Sequence, residues 1–279
     1  MELNRSQRYA VSFYKGAMLV LAGPGSGKTA VITGRVLSLI EERKVPPEQI
    51  LVITFSKAAA EEMKQRFMKA GQGRSRYLAV TFGTFHAIFF RIIREAYDYD
   101  ISNIISDKEK NVYLDEAMKL AEVSPQNERE FKEKLSAAIS MLKSSGVAFL
   151  REDCGGNSDA AAVQTSTAKS ADDRGAQAQN ASEQGESRTE FGNTSGYGAV
   201  LEKAARSLAL EPHKLERISR EYNRRMQGAG KIDFDDMLLL CLKVFNERPD
   251  VLKYWQEKFR FILIDEFQDI NPLQYRLVK

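Results

Sequence analysis

"LVLAGPGSGKTA", Leu19 to Ala30, sets an apolar run, a glycine-rich turn and the opening of a helical pattern in that order. Gly23, Gly25 and Gly27 let the backbone bend so that successive N–H groups converge on one anion. The helix that follows adds the positive end of its dipole. Ala22 stands at the first position of the G-x-x-x-x-G-K-[ST] pattern, so Ala22, Gly23, Pro24, Gly25, Ser26 and Gly27 read as a phosphate cradle. Lys28 is then the cation for the β- and γ-phosphates, and Thr29 offers a hydroxyl to Mg²⁺. A flexible loop with an incidental Gly-Lys-Thr is the bland alternative. The order of strand, turn and helix argues against it.

Outward from the turn, apolar strands alternate with helical patterns. "AMLVLA" (Ala17 to Ala22), "ILVITF" (Ile50 to Phe55) and "YLAVTF" (Tyr77 to Phe82) are dense enough for strands buried on both faces. Helical stretches follow over Lys28 to Arg43, Lys57 to Ala70 and Phe85 to Tyr97. This rhythm predicts an α/β fold with a parallel sheet and right-handed crossovers. From Asp107 to Gln227 the pattern is helical only, apart from one odd segment. "KIDFDDMLLLCLKVF" then gives a further helix, and "FRFILI" a fourth buried strand.

That last strand delivers Asp265 and Glu266 side by side. A phosphate-binding turn needs an acidic partner on a neighbouring strand to hold Mg²⁺, and Asp265 is placed for it. Glu266, one residue on, is free to polarise a water for in-line attack. An acidic pair after an apolar run is a weak signal alone, and a strong one beside such a turn. More than two hundred residues separate Lys28 from Asp265. The helical stretch is therefore expected to be an inserted subdomain, 106–227, within a nucleotide-binding domain made of 1–105 and 228–279.

The odd segment, Arg151 to Gly198, is rich in Ala, Gly, Ser, Gln and Asn and holds two aromatics, Phe191 and Tyr197. It buries too little apolar surface to offset its ordering entropy and is expected to be disordered and without catalytic part. The 279 residues are 43% hydrophobic and 28% charged, ordinary for a globular chain. No apolar run reaches the length of a membrane span, and the two cysteines, Cys154 and Cys241, fit no metal or redox spacing. No membrane association and a reducing cytoplasm are the expectations. The formal charge of +3 hides an asymmetry, because Arg151 to Val200 carries 4 basic and 8 acidic residues and leaves 37 and 30 for the remainder. That surplus permits a polyanionic partner.

In order and spacing these motifs resemble the UvrD/Rep/PcrA group of superfamily 1 DNA helicases. "LNRSQRYAV" is similar to the adenine-reading Gln motif and would put Gln7 on the base, although Gln7 also suits a helix cap with Asn4. "AGPGSGKT" and "LIDEFQD" resemble the two nucleotide motifs. The resemblance implies ATP and Mg²⁺ as cofactors, Asp265 and Thr29 on the metal, Glu266 and Lys28 as catalytic groups, and Gln268 coupling nucleotide state to DNA. "TFSKAAAEEM" and "TFGTFHAIFFRIIR" follow the second and third strands, where ligands of open α/β sheets gather. There the resemblance implies single-stranded DNA contacts by Thr54, Phe55, Ser56, Thr84 and His86. From the residues alone, Phe55 reads as a core aromatic and His86 as a satisfied first-turn histidine. "DFDDML", Asp233 to Leu238, is similar to the return helix from the inserted subdomain, its acids read as structural.

Two departures touch the site: Lys57 and Ala58 stand where many relatives have Asn-Lys, and Ala30 stands where many have Arg. The resemblance further implies a RecA-like P-loop NTPase fold and the ATP-binding half of a 3′-to-5′ helicase or translocase on single strands or single/double-strand junctions. A C-terminal RecA-like domain would be its partner, and this N-terminal fragment would be nearly inactive alone. A helicase subunit of an AddA/RecB-type nuclease and a non-catalytic module binding ATP and single strands are the alternatives. A P-loop kinase or GTPase is disfavoured, since no Asn-Lys-x-Asp base reader is present.

Overall fold

The computed structural model describes residues 3–23, 25–145 and 194–279. Its centre is a three-stranded parallel sheet: β1 (Ile50–Thr54), β2 (Thr81–Thr84) and β3 (Phe261–Ile264), in the order β2-β1-β3. β1 lies in the middle and every residue of it is buried, as its unbroken Ile-Leu-Val-Ile run requires. Val52 pairs with Phe82 on one side and Leu263 on the other. The Asp265 N–H donates to the Ile53 carbonyl at 2.9 Å, so pairing runs one residue beyond β3 and fixes where the acidic pair begins.

Two sequence expectations fail here. Ala17–Ala22 is not a strand: it has no ladder partner among the described residues, and Leu19 and Leu21 are 64% and 87% exposed. An apolar run becomes a strand only where a neighbouring edge supplies hydrogen bonds, and composition does not show the edge. Tyr77–Phe82 also divides. Ser75–Ala79 is a 3₁₀ turn that buries Tyr77, Val80 caps it, and β2 starts at Thr81.

β1 and β2 each hand the chain to a helix through a polar cap. The cap of α3 (Lys57–Ala70) is Ser56, whose Oγ accepts from the Ala59 N–H at 3.1 Å. Thr84 caps α4 (Phe85–Ala96) in the same way through the Ala87 N–H at 3.3 Å. Such caps satisfy the free N–H groups of a first turn. α1 (Arg5–Ser12) packs on α2 (Lys28–Glu41), and Arg35 of α2 donates to the carbonyls of Ala10 and Phe13 at the end of α1.

Among the described residues the apolar side chains form three clusters. Val36 and Leu39 of α2 with Met63 and Phe67 of α3 cover one sheet face around Ile50 and Val52. On the other face Leu51 and Ile53 meet α4, α9 (Phe234–Glu247), Trp255 of α10 (Pro249–Lys258) and Leu273 of α11 (Pro272–Val278). The third cluster belongs to α5 (Asp107–Leu120), α6 (Glu128–Ser144), α7 (Thr194–Ser207) and α8 (Pro212–Gly228), around Leu135, Leu215, Ile218 and Tyr222. The chain crosses between sheet and helical cluster at two segments that lie side by side. Ile104 and Ile232 form a parallel bridge, and the Asn103 amide donates to the Gly230 carbonyl at 2.8 Å.

Of the low-complexity stretch, residues 151–193 lie outside the described residues. From Thr194 the chain is helical, so the expectation that the stretch runs to Gly198 overshoots. Tyr197, Val200, Leu201 and Ala204 recur at helical spacing and pack on the third cluster. Among the described residues no helix is long and apolar enough to cross a membrane.

Candidate functional site

The glycine turn leads directly into α2. Gly25 and Gly27 have φ of +74° and +82°, the left-handed region that glycine alone enters freely. The Ser26 N–H donates to the Gly23 carbonyl at 3.3 Å, closing the turn. A Cβ on Gly23 or Gly25 would meet nothing within 4 Å, which leaves open space over the turn. Pro24 lies outside the described residues, and Ala22 is exposed ahead of the turn.

Gln7 reaches this turn from α1. Its side chain closes a capping box with Asn4, at 2.9 Å and 2.8 Å, as the sequence allows. Its Nε2 also donates to the Ser26 carbonyl at 2.8 Å. The side chain thus joins the start of α1 to the phosphate turn.

Across from the turn stands the end of β3. Lys28 Nζ and Glu266 Oε1 are 3.3 Å apart, both about one-third exposed. Glu266 has φ 50° and ψ 48°, a left-handed conformation that costs a non-glycine residue of order 1–3 kcal/mol and turns its side chain from the strand direction. Gln268 Nε2 donates to Glu266 Oε2 at 2.6 Å. That bond, and then Lys28, hold the Glu266 carboxyl below its ordinary range. Asp265 behaves oppositely: burial, and then the charge of Glu266, raise its pKa against the pull of Lys28. Two adjacent carboxyls thus have divergent acidities, the pattern expected of paired groups with different tasks. Thr29 is half-buried in the first turn of α2.

These residues fit a nucleotide's phosphates and a divalent cation. An open left-handed glycine turn at a helix N-terminus suits phosphate oxygens, and Lys28 supplies charge. Mg²⁺ takes one or two protein oxygens besides phosphate and water, and Thr29 and Asp265 are of that kind.

A second surface lies at the C-terminal ends of β1 and β2. Thr54 is buried, its hydroxyl donating to the Ser56 carbonyl at 3.0 Å. Phe55 is 45% exposed, its ring 6.3 Å from that of Phe85, so it is not a core aromatic. The His86 ring lies 4.9 Å from Phe234, which is 57% exposed at the first position of α9. Burial lowers the His86 pKa, and Asp235 opposes the shift, so the ring is neutral near pH 7. Sequence reasoning passed over Phe234, because "DFDDML" looks like a capping run. Its signal was a bulky apolar residue at a helix's first position with acids on both sides.

With sheet, turn and acidic pair in place, the chain can be set beside known proteins. The family described as UvrD/REP helicase N-terminal domain matches residues 3–279, and the chain belongs to that family. It is 31% identical over 282 residues to the protein named "Putative ATP-dependent DNA helicase YjcD" of Bacillus subtilis (strain 168), with 99% of this chain and 30% of that protein covered. It is also similar, at 28% identity over 281 residues, to the ATP-dependent DNA helicase PcrA of Staphylococcus aureus (strain Mu50 / ATCC 700699), again with 99% and 31% covered. The chain thus spans about a third of the length of these curated relatives.

Proposed function

We propose that this chain is the ATP-binding part of a DNA helicase or translocase that moves 3′ to 5′ along single strands. In this reading 1–105 and 228–279 form a RecA-like domain, with 106–227 as its inserted helical subdomain. The carrying observation is that Lys28, from the glycine turn, faces Glu266, from the end of β3, at 3.3 Å. Two groups more than two hundred residues apart in sequence converge on the open space over the turn.

Ala22 to Gly27, Lys28 and Thr29 hold the phosphates, Gln7 meets the adenine, and Thr29 with Asp265 holds Mg²⁺. The bound metal would neutralise charge on the phosphate oxygens. Glu266, kept ionised, takes a proton from the attacking water, and Gln268 orients Glu266. When ATP arrives, Lys28 exchanges Glu266 for phosphate and frees that carboxylate. Phe55 and Phe234 stack on bases of the strand, while Ser56, Thr84 and His86 meet its backbone and Thr54 fixes the loop that carries Phe55.

An arginine finger contributes roughly 10³ to 10⁵ in phosphoryl-transfer rate. By the family resemblance such fingers come from a second RecA-like domain, the proposed partner. These 279 residues alone should therefore bind ATP·Mg²⁺, hydrolyse it very slowly with or without DNA, and bind single strands weakly in a salt-dependent way. The test compares them with a chain extended through the second domain. Brisk DNA-stimulated hydrolysis by the 279 residues alone would show the proposed division of labour to be wrong.

A further inference from the structure

We propose that Lys143 is a positioning residue of the strand-binding surface: from α6 it clamps the first turn of α9 and so sets where Phe234 stands. This rests on the strand-site reading given above. Lys143 is only 4% exposed. Its Nζ lies 2.6 Å from Asp233 Oδ2 and 2.8 Å from Asp236 Oδ1. The same two acids are the reciprocal ends of the α9 capping box. Asp233 Oδ1 accepts from the Asp236 N–H at 2.9 Å, and Asp236 Oδ2 accepts from the Asp233 N–H at 3.0 Å. Each carboxylate thus spends one oxygen on the cap and the other on the cation, and all four oxygens are used. Beneath Nζ lies the Tyr222 ring of α8, its centroid 5.5 Å away.

Two ionised carboxylates in one partly buried box repel each other unless a cation sits between them. Burial, with Asp233 adding to it, pushes Asp236 up to about 6 even with Lys143 present. Between the box ends ride Phe234, its ring tilted at 55° against that of His86, and Asp235, whose charge acts on His86. The seam around the clamp is open: a cavity of about 320 Å³ is lined there by Lys143 and Asp236 together with Asn223, Met226, Lys231 and Leu240. Met237, Leu238 and Leu239 anchor the body of α9 in the sheet cluster, and Lys143 is what ties its capping box, with Phe234 between the box ends, to α6.

The test is titration of a single strand of thymines carrying 2-aminopurine, over a range of salt, with ATP affinity measured in parallel. Lys143→Met should bind the strand about ten- to a hundredfold less tightly, the scale of a lost base stack, and lose the 2-aminopurine quench. Its ATP affinity should hold. The slope of log affinity against log salt should also hold, because no phosphate contact has gone. The neutral box Lys143→Met/Asp233→Asn/Asp236→Asn keeps both cap acceptors and buries no charge, so strand binding and quench should return. Unchanged binding by Lys143→Met overturns the proposal. So does a loss that takes about 0.7 from the salt slope and is not rescued, since Lys143 would then touch phosphate itself. Should Lys143→Met fail to fold, the milder Lys143→Gln is titrated beside the neutral box: weaker binding by the first with recovery in the second supports the clamp, and wild-type binding by both, or loss by both, overturns it. If the wild type binds but neither Phe55→Ala nor Phe234→Ala weakens it, the strand-site reading fails first, and the clamp with it.

Discussion

Lys28 and Glu266 neutralise each other across the turn, and an exposed pair of this kind is worth little, about 0–1 kcal/mol. A nucleotide phosphate can therefore displace Glu266 at small cost and gain a charge-assisted contact in return. Lys28→Ala should abolish most of the melting-temperature rise that ATP·Mg²⁺ produces, while the nucleotide-free protein melts almost as before. An undiminished rise would count against the phosphate role. Gly27 permits a second test. Its φ of +82° is disfavoured for a residue with Cβ by roughly 1–2 kcal/mol, and a Cβ there would lie 3.0 Å from Gln7 Nε2. Gly27→Ala should lower the melting temperature and weaken nucleotide binding together. A variant that binds normally would show that the Gln7 contact is dispensable.

Between residue and molecule, the elements show what a sequence discloses. Phe67 of α3 is fully buried, with Tyr77 and Phe82 at 5.3 Å and 5.5 Å from its ring. Phe67→Ala should destabilise by about 3–5 kcal/mol in chemical denaturation, and a loss under 1 kcal/mol would mean that the α3 face is not packed as described. That helix, Lys57–Ala70, is legible to the residue, because a serine cap and an apolar stripe agree. The run after it misleads, since the buried residues Tyr77 and Val80 are three apart, the period of a 3₁₀ turn rather than of a strand. Ala17–Ala22 misleads for another reason: its composition suits a strand, but pairing is a property of two segments. At the site, Lys28, Asp265 and Glu266 are readable because a local backbone motif defines them. Phe234 is not, because its place follows from His86, far away along the chain. Lys143 is still less so, as one lysine among many until folding buries it between two acids.

For the whole molecule, acidity acts through ties between elements. Glu41 of α2, held by Arg76 and Tyr77, and Glu109 of α5, held by the Ser106 N–H and Lys231, each have a pKa depressed to about 2. A depressed carboxyl gives stability that is present above its unfolded value and lost as pH falls towards the folded one. Asp236, raised to about 6, runs the other way and adds stability as pH falls from there towards its unfolded value. The melting temperature should therefore hold through mild acid and drop below about pH 4.5. Glu109→Gln should make that drop shallower, and an equally steep acid limb in the variant would remove Glu109 from the account.

The side-by-side crossing at Ile104 and Ile232 has a mechanical consequence. A force applied between those two points bears first on one short bridge and a few polar ties, and then on the apolar cluster of the sheet face in which both isoleucines pack. Once the bridge shears, the paired α5 and α8 must part next, and only then would α5 to α8 pay out as a separate length of slack with the sheet still closed behind it. An optical-tweezers trace pulled from these positions should show that early release as a discrete step, and relaxation should rewind it without the sheet ever having opened.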